Sequence, residues 1–504
     1  MTINPDYSVF QDAYSRQESQ VLFCHMVADL DTPVSAYMKL SDQERYSFLL
    51  ESVEGGETRG RYSIIGMKPD LIWRSDKGVN QLCQNPEEET LIFTDLDTRN
   101  PIDSLRTVQQ DSLFDLPDSL PPMASGLVGY MGYDMVRHME DISLMATKDD
   151  PVDVPESIFI RPKIMAIFDS VTNLITLVAT IRPKADLSAK EAYDQAVSLI
   201  RHTRTKLRGP VYEPIASVAV TRTLDPTQSN TEKEHYKAMV EKAQEYILAG
   251  DIFQVVLSQR FSVPFELQPF ELYRALRRTN PSPFLFHLNF DDFALTGSSP
   301  EILVRLRDET VTIRPIAGTR KRGRDKQEDQ QLMEDLLSDP KELSEHLMLL
   351  DLGRNDVGRV TKSGTVEVTD SHSVELYSHV MHIVSNVEGT IEDGLDCFDA
   401  LKAGFPAGTV SGAPKVRAME IIDELEIDKR GPYAGSVGYF SVNGTMDSCI
   451  VLRTAIVKDR TMYIQAGAGV VADSDPESEY QECVNKARAL VNAAEEAVRF
   501  SSRS

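Results

Sequence analysis

The sequence predicts a mixed α+β fold built on antiparallel sheets. Strand-like segments occur in runs, and amphipathic helical segments separate these runs instead of alternating with single strands. In addition, the turn signal Asn443-Gly444 lies between two strand-like segments, 434–442 and 448–457, and indicates an antiparallel hairpin. Both observations disfavour a doubly wound parallel sheet.

The chain of 504 residues is long enough for two to four domains. The clearest boundary signal is a cluster of Gly, Pro, Asp and Ser residues over 209–230. It predicts an N-terminal region, 20–210, and a C-terminal region, 225–500. Just before the boundary, Ser188 and Glu191 form a capping box that predicts the start of a helix.

Caps and periodicity predict the elements of the C-terminal region in order. Thr231 and Glu234 form a capping box for a helix that ends at Gly250. The dipeptides Asp339-Pro340 and Asp475-Pro476 each predict the start of a later helix. Period-2 and apolar runs predict strands over 252–263, 284–290, 293–298, 302–307, 310–316 and 461–466.

Composition excludes several classes of protein. There are 53 Lys and Arg against 78 Asp and Glu, and the net charge of −25 makes nucleic acids and anionic membranes poor partners. No apolar run reaches the roughly 18 residues of a membrane span, and the N-terminus has no secretory signal pattern. Five widely spaced cysteines without a CxxC motif predict reduced thiols in a cytoplasmic protein, not disulfides or a zinc site.

Two pairs of glutamates begin the predicted late helices. Glu342 and Glu345, like Glu479 and Glu482, stand three residues apart and therefore share one helix face. Such a pair is usually a solvated face, but the second pair follows a glycine-rich strand end over 467–469. If the pairs converge, a cation would offset their repulsion, and an all-oxygen donor set suits Mg²⁺. The residues alone leave both interpretations open.

Two further features carry two interpretations each. The glycine-rich turn 405–415, which contains Thr409 and runs into a predicted helix over 416–424, is either an anion site or a tight turn with a Ser cap. His382 lies in an apolar stretch, where a histidine is either a hydrogen-bonded core residue or a general acid or base.

Taken together, these motifs resemble the chorismate-utilising enzymes and, within that family, the anthranilate synthase large subunits. The similarity covers 225–495. The motifs that carry it are Gly297-Ser298-Ser299-Pro300-Glu301, Pro315-Ile316-Ala317-Gly318-Thr319-Arg320, Lys341 through Val360, Pro406 through Lys415, Arg453, and Ile464 through Lys486. The resemblance implies a large two-lobed fold with antiparallel sheets sandwiched and flanked by helices. It also implies a Mg²⁺-dependent lyase that converts chorismate and ammonia into anthranilate and pyruvate, the first step of tryptophan biosynthesis.

The resemblance also implies roles for individual residues. Glu301 would be the general acid for the departing 4-hydroxyl, and His382 would act in the later loss of pyruvate. The metal would be bound by Glu345 and Glu482, with Glu342 and Glu479 around its waters. The remaining catalytic or substrate-binding residues implied are Gln254, Thr409, Gly318, Thr319, Tyr433, Arg453, Gly467, Gly469 and Lys486.

Two positions distinguish reactions within the family. Relatives that add water at C2 have a lysine where this chain has Gln254, and the enzyme that aminates C4 has a lysine where this chain has Ala317. Both residues therefore favour amination at C2. Two alternatives are an enzyme that stops at aminodeoxyisochorismate and a catalytically silent amino-acid sensor. His382 argues against the first, and the full catalytic set argues against the second.

The resemblance implies feedback inhibition by tryptophan and a partner subunit. The implied effector residues are Glu51, Ser52, Pro283, Phe284, Leu285, Tyr439 and Cys449. Many relatives have Tyr-Met where this chain has Phe284-Leu285, so the strength of inhibition is left open. Because no cysteine here has a glutaminase setting, the implied ammonia source is a separate glutamine amidotransferase subunit in a heterotetramer.

Overall fold

The computed structural model describes residues 2–41, 44–52, 60–84, 86–87, 90–142, 148–211, 228–377 and 380–501. These ranges contain eleven α-helices and three short 3₁₀ turns. The helices are α1 (Tyr7–Ser15), α2 (Pro33–Leu40), α3 (Pro101–Gln110), α4 (Ala189–Leu207), α5 (Lys233–Ala249), α6 (Pro269–Thr279), α7 (Lys326–Ser338), α8 (Pro340–Gly358), α9 (Cys397–Gly404), α10 (Lys415–Leu425) and α11 (Pro476–Ser501). The 3₁₀ turns are Pro122–Ala124, Tyr133–His138 and Gly408–Val410.

Twenty-two strands lie in the same ranges. They are β1 (Gln20–Val27), β2 (Tyr46–Glu51), β3 (Tyr62–Asp76), β4 (Val79–Cys83), β5 (Thr94–Asp95), β6 (Gly126–Met131), β7 (Ser157–Asp169), β8 (Leu174–Ile181), β9 (Gln228–Ser229), β10 (Gln254–Pro264), β11 (Phe284–Phe290), β12 (Phe293–Ser299), β13 (Ile302–Arg307), β14 (Thr310–Ile313), β15 (Ile316–Lys321), β16 (Glu367–Leu376), β17 (Val380–Thr390), β18 (Gly412–Ala413), β19 (Ser436–Ser441), β20 (Met446–Ile450), β21 (Thr454–Lys458) and β22 (Thr461–Val470).

Antiparallel pairing joins the strands into one sheet that divides into two halves at the long strands β3 and β7. The first half runs β1-β8-β7-β3-β2-β11-β12-β21-β22-β10. The second half runs β5-β4-β3-β7-β6-β19-β20-β13-β14-β17, and β15 and β16 also pair with β17. The register of β3 against β7 shifts between Pro69 and Leu71, where the strands pass from one half to the other.

The core lies between the two halves and on their outer faces. Phe48 and Phe286 of the first half pack in one cluster with Tyr130 and Val437 of the second. Helices cover the outer faces: α1 and α4 lie beside β1 and β8, α2 beside β2 and β3, α6 and α11 beside β12 and β22, α5 and α10 beside β10, and α3 and α9 beside strands of the second half. The predicted α+β fold, with antiparallel sheets sandwiched and flanked by helices, is confirmed.

Most predicted elements are present, and three details differ. The helix after 230 begins at Lys233 without a side-chain cap, so the predicted Thr231 capping box is wrong. The predicted strand 448–457 is interrupted at Arg453, whose φ of 48° lies in the left-handed region. The predicted strand 310–316 is likewise two strands, β14 and β15. By contrast, the Ser188 capping box and the left-handed C-cap at Gly250 are confirmed.

The predicted boundary at 209–230 falls largely on residues 212–227, which lie outside the described residues, so the two-region division stays a prediction. Strands from both regions pair directly, as β2 with β11 and β6 with β19. All five cysteines are buried and unpaired, as predicted. Within the described ranges, no helix combines the length and apolar character that crossing a membrane requires.

Candidate active site

Glu301 lies between β12 and β13 and is 7% exposed. The Thr409 hydroxyl, from the 3₁₀ turn Gly408–Val410, donates toward both carboxyl oxygens of Glu301 at 3.2 Å. Burial raises the pKa of Glu301 to about 8, although hydrogen bonds from Thr409 and the Ile316 backbone lower it. Glu301 therefore keeps a proton at neutral pH, which a general acid requires.

His382 on β17 lies opposite Thr319 of β15. Its Nδ1 is 3.0 Å from the Gly318 carbonyl oxygen and 3.1 Å from the Thr319 hydroxyl. Because a carbonyl oxygen only accepts, the hydrogen is assigned to Nδ1 and the lone pair to Nε2. The pKa of His382 is lowered to about 4, mainly by burial and also by the positive charges of Arg453 and Lys486, although the bond to the Gly318 carbonyl raises it. At neutral pH the imidazole is an uncharged base.

The first turn of α8 holds Glu342 in an arrangement that the sequence does not predict. Asp339 caps the helix by accepting from the backbone amides of Lys341 and Glu342, as predicted. The Glu342 side chain does not return to the cap. Instead, its Oε1 accepts from Arg320 Nη1 at 2.9 Å and its Oε2 from the Thr319 amide at 3.3 Å. The predicted helix start at Asp339 is confirmed, and the Glu342 side chain is directed toward β15.

Glu345 lies one turn further along α8 and faces β10 and α11. Burial raises its pKa, the negative charges of Glu342 and Glu482 raise it further, and a hydrogen bond from Gln254 lowers it. Gln254 itself packs against Gly469, where an added Cβ would lie 2.6 Å from the Gln254 Nε2. Gln254 Oε1 is buried and has no hydrogen-bond partner among the described residues.

The two glutamates of α11 lie close to those of α8. Glu482 pairs with Lys486 at 2.7 Å, and Lys486 also donates to the Gly467 carbonyl at 2.9 Å. Burial raises the pKa of Glu479, and Glu482 raises it further. No three His, Cys, Asp or Glu side chains of the described ranges are arranged to bind a metal ion by themselves. A cation here would need oxygens from substrate or water to complete its ligands.

The predicted substrate-binding residues surround these groups. The Tyr433 hydroxyl approaches Gly467 so closely that an added Cβ would lie 2.8 Å from it. Gly318 has a φ of +70°, and an added Cβ would lie 3.1 Å from Glu342 Oε2, so this turn requires glycine. The left-handed backbone of Arg453 is costly for a non-glycine residue and is typical of functional sites.

A second site is a cavity of about 730 Å³ between the two halves of the sheet. All seven predicted effector residues line it, together with Arg305, Arg307 and Arg314. The carboxylate of Glu51 is already paired: it accepts from the Tyr273 hydroxyl at 2.6 Å and forms an ion pair with Arg277. The cavity thus presents carboxylate and guanidinium groups on a mostly apolar wall, an arrangement suited to a zwitterion.

Four arginines of these sites have no predicted role. Arg320 belongs to a motif quoted for the resemblance, but its partners on α7 and α8 are distant in sequence. Arg305 and Arg307 lie two residues apart on β13 and share one face, and Arg314 follows the end of β14; all three line the cavity. The two-residue spacing of Arg305 and Arg307 is the sequence signal that could have indicated these cavity-lining arginines.

Comparisons with known proteins agree on one family. The family model described as "chorismate binding enzyme" matches residues 68–492. The chain is 53% identical to anthranilate synthase component 1 of Cereibacter sphaeroides over 99% of both chains, and 45% identical to that of Aquifex aeolicus over 94% of both. Among solved structures, anthranilate synthase component I of Streptococcus pneumoniae has a TM-score of 0.73 at 36% identity, covering 92% of this chain and 99% of that one. The menaquinone-specific isochorismate synthase of Escherichia coli shares the fold, with a TM-score of 0.72 at 21% identity over 97% of this chain and 99% of that one.

Proposed function

Because the chain belongs to the chorismate-binding enzymes, we propose that it acts as the large subunit of an anthranilate synthase. It converts chorismate and ammonia into anthranilate and pyruvate. The observation that carries the proposal is that two buried groups lie against one strand, β15: Glu301 at the Ile316 backbone, and His382 opposite Thr319 with its Nδ1 at the Gly318 carbonyl. Burial raises the pKa of the first and lowers that of the second, as an acid and a base require. The relatives named anthranilate synthase component 1 support the same reaction.

The proposed reaction has two steps, and each uses one of these groups. Ammonia adds at C2 of the ring while Glu301 protonates the departing 4-hydroxyl, which leaves as water. His382 then takes the C2 proton, the C–H electron pair enters the ring, and the C3–O bond breaks. Enolpyruvate leaves with the C–O electrons and is protonated to pyruvate, so the ring becomes aromatic.

Two residues favour ammonia over other nucleophiles and C2 over other positions. Gln254 supplies no basic side chain, so water near it would not be deprotonated, whereas free ammonia needs no base. Ala317 supplies no lysine at the position from which the C4-aminating relatives would attack. Both support the amination of C2 over hydration of the ring or amination of C4.

The proposal includes a Mg²⁺ ion, which Glu345 and Glu482 would hold, with Glu342 and Glu479 nearby to accept from water. The donors fit this ion, because they are carboxylates and the pKa of Glu345 is raised partly by neighbouring negative charge, which a cation would relieve. When bound, Mg²⁺ neutralises the ring carboxylate and polarises the conjugated ring. Around the substrate, Arg453, Tyr433 and the amides near Gly467 and Gly469 hold the enolpyruvyl carboxylate, whereas Thr409, Lys486, Gly318 and Thr319 lie near the ring.

The proposal also includes a partner and a regulator. A glutamine amidotransferase subunit supplies ammonia in a heterotetramer, and tryptophan inhibits from the cavity between the sheet halves. The name component 1, carried by the relatives, implies a second subunit. The apolar wall suits an indole ring, and the charged groups at its edge suit the ammonium and carboxylate of an amino acid.

Anthranilate fluorescence tests the proposal directly. The purified chain is mixed with chorismate, Mg²⁺ and ammonium at alkaline pH, with and without tryptophan. A rising signal that requires ammonium and Mg²⁺ and that tryptophan suppresses is the expected result. Isochorismate formed without ammonium, or chorismate left unchanged, would contradict the proposed reaction.

A further inference from the structure

Arg320 on β15 contacts three carboxylates on two helices. Its Nε donates to Asp335 at 2.8 Å, its Nη2 to Asp339 at 2.7 Å, and its Nη1 to Glu342 at 2.9 Å. Its side chain is 22% exposed, so these bonds are partly shielded from water. A planar guanidinium can make three such bonds at once, whereas an ammonium on a flexible stem cannot fix the same geometry.

These contacts fix the first turn of α8. Asp339 uses Oδ1 to cap the helix, accepting from the Lys341 amide at 2.9 Å, and uses Oδ2 to accept from Arg320. Glu342, in the same turn, accepts from Arg320 through its Oε1. Arg320 therefore sets where the helix begins relative to β15.

A continuous path of hydrogen bonds leads from Arg320 to His382. Glu342 Oε2 accepts from the Thr319 amide at 3.3 Å, and the Thr319 hydroxyl lies 3.1 Å from His382 Nδ1. The adjacent Gly318 carbonyl lies 3.0 Å from the same nitrogen. Since these two oxygens determine which ring nitrogen carries the hydrogen, a displaced 318–319 turn would also displace the lone pair of Nε2.

We propose that Arg320 is a positioning residue that acts through Glu342 and Thr319 to hold His382 for removal of the C2 proton. The inference rests on the proposed function. It separates the two steps, because amination depends on Glu301 and loss of pyruvate depends on His382. Loss of Arg320 therefore impairs the second step more than the first, and the amino intermediate accumulates.

The test compares Arg320→Gln and Arg320→Lys with wild type and two references. Arg417→Lys is the matched control, because Arg417 on α10 bridges two carboxylates, Asp251 after the end of α5 and Glu420 on α10 itself. His382→Met is the reference for loss of the base. Chorismate, Mg²⁺ and ammonium are supplied in a single-turnover assay, and both the amino intermediate and anthranilate are quantified by chromatography.

We expect Arg320→Gln to slow anthranilate formation from the intermediate by about 10- to 100-fold, with little change in chorismate consumption. Arg320→Lys should lie between Arg320→Gln and wild type, and Arg417→Lys should match wild type. With chorismate deuterated at C2, the isotope effect on anthranilate formation should increase in Arg320→Gln, because C–H cleavage becomes more rate-limiting. A purely structural role would not change the ratio of the two products.

Two results would overturn the inference. One is a folded Arg320→Gln variant with wild-type product ratio and isotope effect, and the other is an equal fall in both steps. If thermal melting shows that Arg320→Gln is unfolded, Arg320→Lys is judged by the same criteria. A wild-type chain that forms no anthranilate would overturn the proposed function together with this inference, whereas normal wild-type turnover with an unchanged ratio would overturn this inference alone.

Discussion

The Thr409 hydroxyl lies 3.2 Å from both carboxyl oxygens of Glu301. This contact orients the buried carboxyl, which lies on the short connection between β12 and β13. Thr409 comes from a 3₁₀ turn more than 100 residues along the chain, so the contact joins two distant motifs. The hydroxyl lowers the pKa of Glu301, but burial has the larger and opposite effect. Glu301 is thus both held in place and kept protonated.

Replacement of Glu301 by Gln should leave substrate binding nearly intact and lower kcat by about 10²- to 10⁴-fold, the usual contribution of a general acid. In the wild type the protonated carboxyl is the active form. At a fixed concentration of free ammonia, kcat/KM for chorismate should therefore fall as pH rises above about 8. Steady-state fluorescence measures both effects, and substantial turnover by Glu301→Gln would refute the role of Glu301 as the acid.

The same raised pKa predicts how stability depends on pH. Glu301 has an ordinary pKa of 4.5 when exposed and a pKa of about 8 when folded. Between these values the unfolded chain releases the proton and the folded chain keeps it, so stability from this group is complete below 4.5 and is lost as pH rises to 8. The free energy of unfolding of Glu301→Gln, relative to that of wild type, should therefore increase by roughly 2–4 kcal/mol as the pH rises from 5 to 8.5.

Thermal unfolding across that pH range measures this gain. Glu477→Gln is the control, because Glu477 lies near the surface in an ion pair with Lys233. Its melting temperature should follow wild type at every pH. A constant difference between Glu301→Gln and wild type would mean that Glu301 is ionised throughout the folded state.

Glu345→Gln and Glu482→Gln should each reduce Mg²⁺-dependent turnover by about 100-fold or more, because each removes a charged ligand from the proposed metal site. Glu477→Gln again serves as a control, since it removes a carboxylate from α11 at a distance from Glu345. Titration of Mg²⁺ in the presence of chorismate should show weaker binding in the first two variants only. Full activity in either variant would remove that residue from the metal site.

Local sequence patterns predicted much of the fold. The details that they predicted wrongly depend on side-chain contacts and backbone angles that such patterns do not encode. The bounds of Phe284–Phe290 and the cap at Asp339 follow from local pattern and are correct. The capping box at Thr231 fails because its hydroxyl donates to the Asn230 side chain instead. The break at Arg453 requires a left-handed φ that residue type does not encode.

The candidate site shows the same division. Helix periodicity alone predicts that the two glutamates of each pair lie on one face, because residues three apart share a face, but it leaves open whether the two pairs converge. The partner of Glu342 could not be predicted from periodicity. Arg320 lies 22 residues earlier in the chain and reaches Glu342 only after β15 pairs with β17. Periodicity therefore identified the side chains, and the pairing of distant elements determined their partners.

Glu51→Gln should weaken inhibition by tryptophan while leaving turnover without tryptophan close to wild type. In the cavity wall, the Glu51 carboxylate balances the charge of Arg277 and accepts from the Tyr273 hydroxyl. An amide can still accept from Tyr273, but it leaves the positive charge of Arg277 uncompensated beside the ammonium of the effector. Loss of a charged hydrogen bond of about 1.5–3 kcal/mol corresponds to an inhibition constant raised roughly 10- to 150-fold.

Glu44→Gln is the matched control for this prediction, because Glu44 also pairs with cations, Lys68 and Lys206, but does not line the cavity. The curves of anthranilate formation against tryptophan concentration should coincide for Glu44→Gln and wild type. The curve for Glu51→Gln should be shifted to higher tryptophan concentrations. If all three curves coincide while tryptophan still inhibits, the effector lies outside this cavity or contacts a part of its wall remote from Glu51. Calorimetry of tryptophan binding to Glu51→Gln tests the role of Glu51 directly. An affinity equal to that of wild type would contradict this role, and a reduced affinity would support it.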